Sequence, residues 1–363
     1  MRESLEDLHG NASSLHREGQ RARAAVDRAR EQVALLVNAH PDEVVFVSGG
    51  TEGDHLAMLG AIGDRAEPGP RVAISAIEHH AVHGAAEVLA ERGIPIDTLP
   101  VDHDGVLELD ALDHLVHGTT LVAVMLANNE TGVVQPVTQA VERARRIGAR
   151  VHCDAVQAAG KIAVDFQELG ADYLALSGHK LGGPKGAGAL VVRRGAPLVP
   201  LFRGSAQEHG RRGGTENVPG IVGLGIAAEC AARDLEAERR RLLELRHRLE
   251  DGLRRADPEL VIHGERVERL PNTVNASFAG ARSDELLMAL DARGVAVSAG
   301  AACASGAVEP SPVLSAMGVP RDLAVCAIRI SMGHTSTASE VDRLLTIMPV
   351  VLRAARASGR VSV

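Results

Sequence analysis

The sequence predicts an α/β protein with a mostly parallel, seven-stranded sheet, followed by a smaller α+β domain. Three observations carry this expectation. Over the first two-thirds of the chain, short apolar runs alternate with helix-like amphipathic runs. The apolar runs are continuous rather than alternating, as in strands buried on both faces. A long charged amphipathic stretch, ECAARDLEAERRRLLELRHRLEDGLRRA, then separates this region from one with a different pattern. The expected division is residues 1–235 for the large domain and 236–363 for the small one.

Taken in order, EVVFVSGG reads as a strand running into the helix TEGDHLAMLGAIG. RVAISAI is a strand, and EHHAVHGAAEVLAERG is a helix closed by glycine. IPIDTLPV and TLVAVMLAN are strands, and QPVTQAVERARRIGA is a helix. RVHCDAV, ADYLALSG and GALVVRR are strands. The charged stretch suits a helical connector between domains. Beyond it, PNTVNASFAG, DELLMALDARG, VAVSAG and AIRISMG read as the smaller α+β domain.

A chain of 363 residues can bury a large core. Hydrophobic residues at 45% and charged ones at 24% are ordinary for a globular protein. The net charge of −8 argues against a nucleic-acid or anionic-membrane surface. No apolar run reaches the roughly 18–20 residues of a membrane span. The start, MRESLEDLHGNASSLHREG, has no signal-peptide core. Cys153, Cys230, Cys303 and Cys326 show no CxxC spacing, so neither a disulfide framework nor a zinc knot is expected. A reducing, cytoplasmic location is the expectation. With no Trp, one Tyr and four Phe, the core must be built from Ala, Val, Leu and Ile. A flat ligand ring would stack on another side chain, histidine first.

Basic residues are strongly biased, with 36 arginines against three lysines, and two of those lysines lie in SGHKLGGPKGAG. Arginine cannot become a neutral amine nucleophile, whereas a desolvated lysine can, and can then bond a carbonyl. Lys180 follows the strand ADYLAL, and Asp154 ends the strand RVHCDAV with Gln157 three residues on. In open parallel sheets ligands sit beyond the carboxyl ends of strands. A buried Asp there could meet a pyridinium N–H, as in pyridoxal phosphate enzymes, or cap a helix. Ser48, Gly49, Gly50 and Thr51 open a helix after a strand, either as a phosphate cradle or as a capped turn. No GxGxxG or GxxxxGK[ST] motif is present. His79 and His80 follow a strand, NNETG ends another, and GRRGGTEN is basic and glycine-rich. Each of these is either a ligand contact or a solvated turn. Cys303 sits among small residues in VSAGAACASGAVEPSP, a better setting for a reactive thiol than the apolar surroundings of Cys326.

In chain order, SGGTEGDHLA, NNETGVVQP, HCDAVQAAGK, SGHKLGGPKGAGALVVRR, GRRGGTENVPGIVG and SAGAACASGAVEPSPVL resemble the NifS/IscS-type cysteine desulfurases, over nearly the whole chain. The resemblance implies a fold type I pyridoxal phosphate-dependent transferase, class V aminotransferase-like, acting as a homodimer. It implies Lys180 as Schiff-base lysine, His79 over the pyridine ring, Asp154 at the ring nitrogen and Gln157 at the ring hydroxyl. Gly50, Thr51, Ser177 and His179 would hold the phosphate, with Thr215 reaching in from a second subunit. Asn129 and Arg329 would bind the carboxylate of L-cysteine. Cys303 would accept its sulfur as a persulfide, with His79 as the expected proton acceptor for that thiol and alanine as the product. A sulfur-acceptor protein would follow, whether iron–sulfur scaffold, tRNA-modifying relay or another thiolation system. No metal, nucleic acid or membrane is expected.

The chain also departs from the family pattern. It opens at LHGNASSLH without the Asp-Asn-Ala-Ala-Thr-Thr-like run, and Ala12 stands where Pro is usual. His55 stands where Asn is common and His209 where Arg is common. The tail that docks a scaffold protein in some relatives is expected to be absent. Two other readings stay open: a selenocysteine lyase or other class V lyase or aminotransferase using Lys180 without Cys303, and a truncated, catalytically weak binding partner.

Overall fold

A computed structural model describes residues 1–63, 69–115, 118–300 and 309–358. The chain divides into two compact units. The first comprises Met1–Leu99, Glu108–Leu126 and Gln135–Leu235, and the second Pro100–Leu107, Ala127–Val134 and Glu236–Val363. The main crossing falls between Leu235 and Glu236. Two short excursions, Pro100–Leu107 and Ala127–Val134, also belong to the second unit, so that Asn129 shares a unit with Arg329.

The first unit begins with helices α1 (Arg2–Asp7) and α2 (Arg17–Leu36). Strand β1 (Val44–Val47) and helix α3 (Gly50–Ile62) follow, then β2 (Arg71–Ser75), α4 (His80–Glu91) and β3 (Ile96–Leu99). Next come α5 (Asp110–Asp113), β4 (Thr119–Ala123), α6 (Val137–Arg146), β5 (Arg150–Asp154), α7 (Phe166–Leu169), β6 (Tyr173–Ser177) and β7 (Gly188–Val192). Helix α8 (Val218–Ala256) passes from the first unit into the second. The seven strands form one sheet in the order β1-β7-β6-β5-β4-β2-β3. Strand β7 is antiparallel to both β1 and β6, while β6, β5, β4, β2 and β3 pair in parallel.

Strands β1, β4 to β7 and most of β2 are buried residue for residue, or nearly so, which explains their unbroken apolar runs. Leu56, Met58 and Ile62 of α3 and Val82, Ala85 and Leu89 of α4 pack with Val72, Ile74, Leu121 and Leu190 of the sheet. With tryptophan absent, Tyr173 and Phe166 are among the largest fully buried side chains, and the Tyr173 hydroxyl donates to Pro197 O at 2.5 Å.

The second unit carries β8 (Val261–Ile262), β9 (Thr273–Ser277), α9 (Ser283–Asp291), β10 (Ser298–Ala299), α10 (Pro312–Ala316), α11 (Arg321–Ala324), β11 (Ala327–Ser331) and α12 (Ala338–Ser358). Its sheet is antiparallel, in the order β10-β11-β9-β8. Leu245, Leu249 and Leu253 of α8, Phe278, Leu286, Ile328 and Met348 form its core. Among the described residues no helix is long and apolar enough to cross a membrane.

Candidate active site

The carboxyl ends of β1, β5 and β6, with the turn before α4, gather most of the residues singled out above. β1 runs into α3 through Ser48 and Gly49, and the helix starts at Gly50 with Gly49 as its N-cap. The N-cap is a glycine, so among the described residues no cap side chain takes the first-turn N–H groups of α3. Thr51 lies in that first turn. The turn is packed tightly: a Cβ on Gly50 would stand 2.8 Å from Val156 Cγ2, and one on Gly188 would stand 2.7 Å from Gly49 Cα. Ser177 ends β6 and is buried; its Oγ lies 2.9 Å from His179 Nδ1. Lys180 closes a short turn of 3-10 helix right after β6 and is exposed.

Asp154 is the last residue of β5 and is 6% exposed. Its Oδ1 accepts from Val156 N–H at 2.8 Å. Burial and the neighbouring Asp54 carboxyl push Asp154 up to about 7, opposed by that backbone bond, by His152 and by Lys180. No ion pair compensates Asp154 among the described residues. His79 is the N-cap of α4, and its Nδ1 accepts from Ala81 N–H at 3.1 Å. A neutral ring so bonded carries its proton on Nε2. Burial, with the nearby His80, Lys180 and His83, lowers the His79 pKa, so the ring is neutral at neutral pH. A carboxyl oxygen of Asp54, a carboxyl oxygen of Asp154 and a ring nitrogen of His79 lie within 4.8 Å of one another. Gln157 is half-buried on the turn after β5, and its carbonyl accepts from Lys161 Nζ at 2.7 Å. Burial and the charge of Lys180 lower Lys161 to about 8.

Several members of this cluster were not singled out by sequence reasoning. Asp54 is buried on α3, and its Oδ1 lies 3.0 Å from Nε2 of the fully buried His152. Glu78 is buried beside His79 and takes the Met125 N–H on Oε1 at 2.7 Å. Burial raises Glu78 well above its usual value, and Asp154 and Asp54 add to the shift. A signal for His152 was present: residues two apart on a strand share a face, so HCD places His152 beside Asp154.

Thr215 is exposed and lines a cavity of about 250 Å³ with Ser48, Gly186, Arg212 and Glu216. Arg212 is tied to Glu52 at 2.9 Å, and Glu52 also accepts from Ser48 N–H at 2.8 Å. Lys185 is exposed. Cys303 lies outside the described residues. Of the other cysteines, Cys153 is fully buried with its thiol pushed well up by burial and by Asp154, which makes it inert.

The second unit holds its own polar cluster. Arg329 on β11 donates from Nη1 to Asn129 O at 2.8 Å and from Nη2 to Ser298 Oγ at 3.2 Å. Its Nε is buried and has no hydrogen-bond partner among the described residues. Asn129 and Arg329 are thus brought together. The NNETG turn is built by Asn128, whose Oδ1 accepts from the N–H groups of Glu130 and Thr131, each at 2.9 Å. The buried Glu130 takes the Ser311 hydroxyl on Oε2 at 2.6 Å.

A mostly parallel sheet with an acid, a lysine and a glycine turn at its strand ends defines a class of enzyme, and comparison with known proteins agrees. The aminotransferase class-V family profile matches residues 1–344, and the chain belongs to that family. Within it the chain falls with the NifS/IscS-type cysteine desulfurases. It is 43% identical to the cysteine desulfurase of Sinorhizobium fredii (strain NBRC 101917 / NGR234), over 97% of this chain and 92% of that protein. It is 41% identical to the cysteine desulfurase IscS of Methanosarcina thermophila, over 96% and 86%. A solved NifS-like protein superposes with a TM-score of 0.90 at 36% identity, covering 97% of this chain and 94% of that one.

Proposed function

We propose that the chain binds pyridoxal phosphate in its first unit and converts L-cysteine to L-alanine, passing the sulfur to Cys303 for delivery to an acceptor protein. The observation that carries the reading is Asp154: a buried acid at the end of β5, beside a neutral His79, uncompensated by any ion pair among the described residues. A buried carboxylate needs a cationic N–H, and a protonated pyridine ring supplies one. The packed Gly49–Gly50 turn, the uncapped start of α3 and the Ser177–His179 pair suit a phosphate. The residues present therefore fit the cofactor.

Asp154 would hold the ring nitrogen, His79 the ring face, Gln157 the ring hydroxyl, and Gly50, Thr51, Ser177 and His179 the phosphate. Thr215 would complete the phosphate site from a second copy of the chain, in a homodimer. When bound, pyridoxal phosphate supplies an electron sink for the bond broken at the substrate Cα. Lys180 provides the amine that fixes the cofactor covalently and, once free, moves the Cα proton. The Arg329 guanidinium, oriented by Asn129 O and Ser298 Oγ, pairs with the substrate carboxylate. At Cys303 an S–S bond forms as the substrate Cβ–S bond breaks, and Cβ gains a proton to give alanine.

The test is chemical. Protein loaded with pyridoxal phosphate, reduced with borohydride and digested, should carry the pyridoxyl group on the peptide containing Lys180. Lys180→Arg should abolish that label. A label on another peptide, or none, overturns the reading.

A further inference from the structure

We propose that Asp54 is a positioning residue for Asp154: it stands behind it as a neutral carboxylic acid, accepts the His152 Nε2–H on Oδ1 and turns its own proton toward Asp154. The inference rests on the cofactor reading above and extends it one layer inward.

The geometry leaves few arrangements. Asp54 is 1% exposed, and His152 is fully buried, 3.0 Å away through Nε2. The other ring nitrogen, His152 Nδ1, has no hydrogen-bond partner among the described residues. Buried N–H groups are orphaned more rarely than acceptors. The ring proton therefore belongs on Nε2, and Asp54 Oδ1 is its acceptor. Carboxyl oxygens of Asp54 and Asp154 and a ring nitrogen of His79 share one 4.8 Å neighbourhood. Two carboxyls that close in a dry site do not both ionise. The third acid, Glu78, has one oxygen on Met125 N–H and the other buried without a partner among the described residues.

The titratable groups facing Asp54 and Asp154 are therefore His152, Cys153, Glu78, His79 and, acting on Asp154 from the 3-10 turn after β6, Lys180. The only cation among them is Lys180. Burial raises both carboxyls and lowers His152, which stays neutral, while the Val156 N–H and the charge of Lys180 act on Asp154 and favour its ionised form. Asp54 keeps its proton when Asp154 has lost its own. The single negative charge is then confined to the carboxyl that would face the ring nitrogen, and the Asp54 proton helps hold it there.

Two measurements test this. The first uses protein stripped of cofactor. Its infrared spectrum at neutral pH should contain a protonated-carboxyl C=O band that Asp54→Asn removes and that titrates away near pH 8. A spectrum unchanged by Asp54→Asn overturns the proposal. The second is the affinity of the stripped protein for pyridoxal phosphate. Asp54→Ala should weaken it about tenfold, the size of one buried hydrogen bond. Asp54→Asn can accept from His152 and donate toward Asp154, so it should recover affinity to within about threefold of the native chain. An Asn variant as weak as the Ala variant would mean that Asp54 acts through charge, and the proposal fails. If the native chain binds no pyridoxal phosphate, the cofactor reading falls, while the infrared result still decides where the Asp54 proton lies.

Discussion

His79 serves the backbone and the site with one ring. Its Nδ1 caps α4 through Ala81 N–H, which fixes the proton on Nε2 and orients the ring near Asp154. In the proposed cofactor site the identity of Asp154 would matter, because only a carboxylate stabilises a protonated ring nitrogen. Asp154→Asn should weaken cofactor binding and, at saturating cofactor, lower kcat about 10²-fold or more, the scale of a lost preorganised electrostatic contact. Steady-state kinetics with L-cysteine, beside the cofactor content of the variant, checks it. Arg329 makes a second, separable prediction. Its fork is held by Asn129 O and Ser298 Oγ, a geometry that a lysine point charge does not reproduce. Arg329→Lys should raise KM for L-cysteine about tenfold or more, a charge-assisted hydrogen bond being worth about 1.5–3 kcal/mol. At this scale the sequence displayed Lys180, Asp154 and His79, because each ends or follows an apolar strand. It hid Asp54 because DHLAM reads as ordinary helix, and nothing local shows that this acid points inward.

Among the elements, the strands were legible because burial on both faces leaves unbroken apolar runs such as VVFV and YLALS. Helix α2 leaves little trace in the sequence. Its buried face is Ala22, Val26, Ala29, Val33 and Ala34, small residues set among arginines, so its apolar periodicity is faint. The charged stretch that signals α8 starts at Glu229, whereas the helix begins at Val218. Pro219 and the glycines of VPGIVGLG resemble a loop. Yet proline is tolerated in a first turn, and a Cβ on Gly225 would stand 2.7 Å from Ala29 Cα of α2. Glycine there lets the two helices touch. α2 also carries Arg30, which meets Glu208 in two hydrogen bonds of 2.8 Å, both side chains being buried. Glu208 takes Phe46 N–H of β1 as well, at 2.8 Å. Removing one member of a buried pair strands the other charge. Arg30→Ala should cost about 3–5 kcal/mol of stability in denaturant melts, with Arg30→Lys recovering only part of it.

For the molecule as a whole, the buried titratable groups set a pH window. Asp54 and Asp154 are raised to about 8 and about 7, and Glu78 is raised well above its usual value. Their neutral forms favour the folded chain, so this stability is full below the unfolded carboxylate value of about 4 and is lost as pH rises toward the folded values. His152 and His263 are lowered from 6.5 to about 4, so their contribution is lost as pH falls from 6.5 toward 4. The two trends oppose each other below pH 6.5; above it the acids lose stability, and Lys161, lowered to about 8, returns part of it as pH passes 8. Cofactor-free protein should lose on the order of 2 kcal/mol between about pH 6.5 and 8.5 in chemical melts. Pyridoxal phosphate should reduce that loss by pairing Asp154. The central claim, sulfur transfer to Cys303, is tested most directly by mass analysis of the Cys303 peptide. Cofactor-loaded protein would receive L-cysteine without reductant, and alanine would be counted in the same sample. The account predicts one added sulfur on that peptide for each alanine released in the first turnover, and neither product from Cys303→Ala. Alanine formed at the native rate by Cys303→Ala, or with no added sulfur at Cys303, would contradict it.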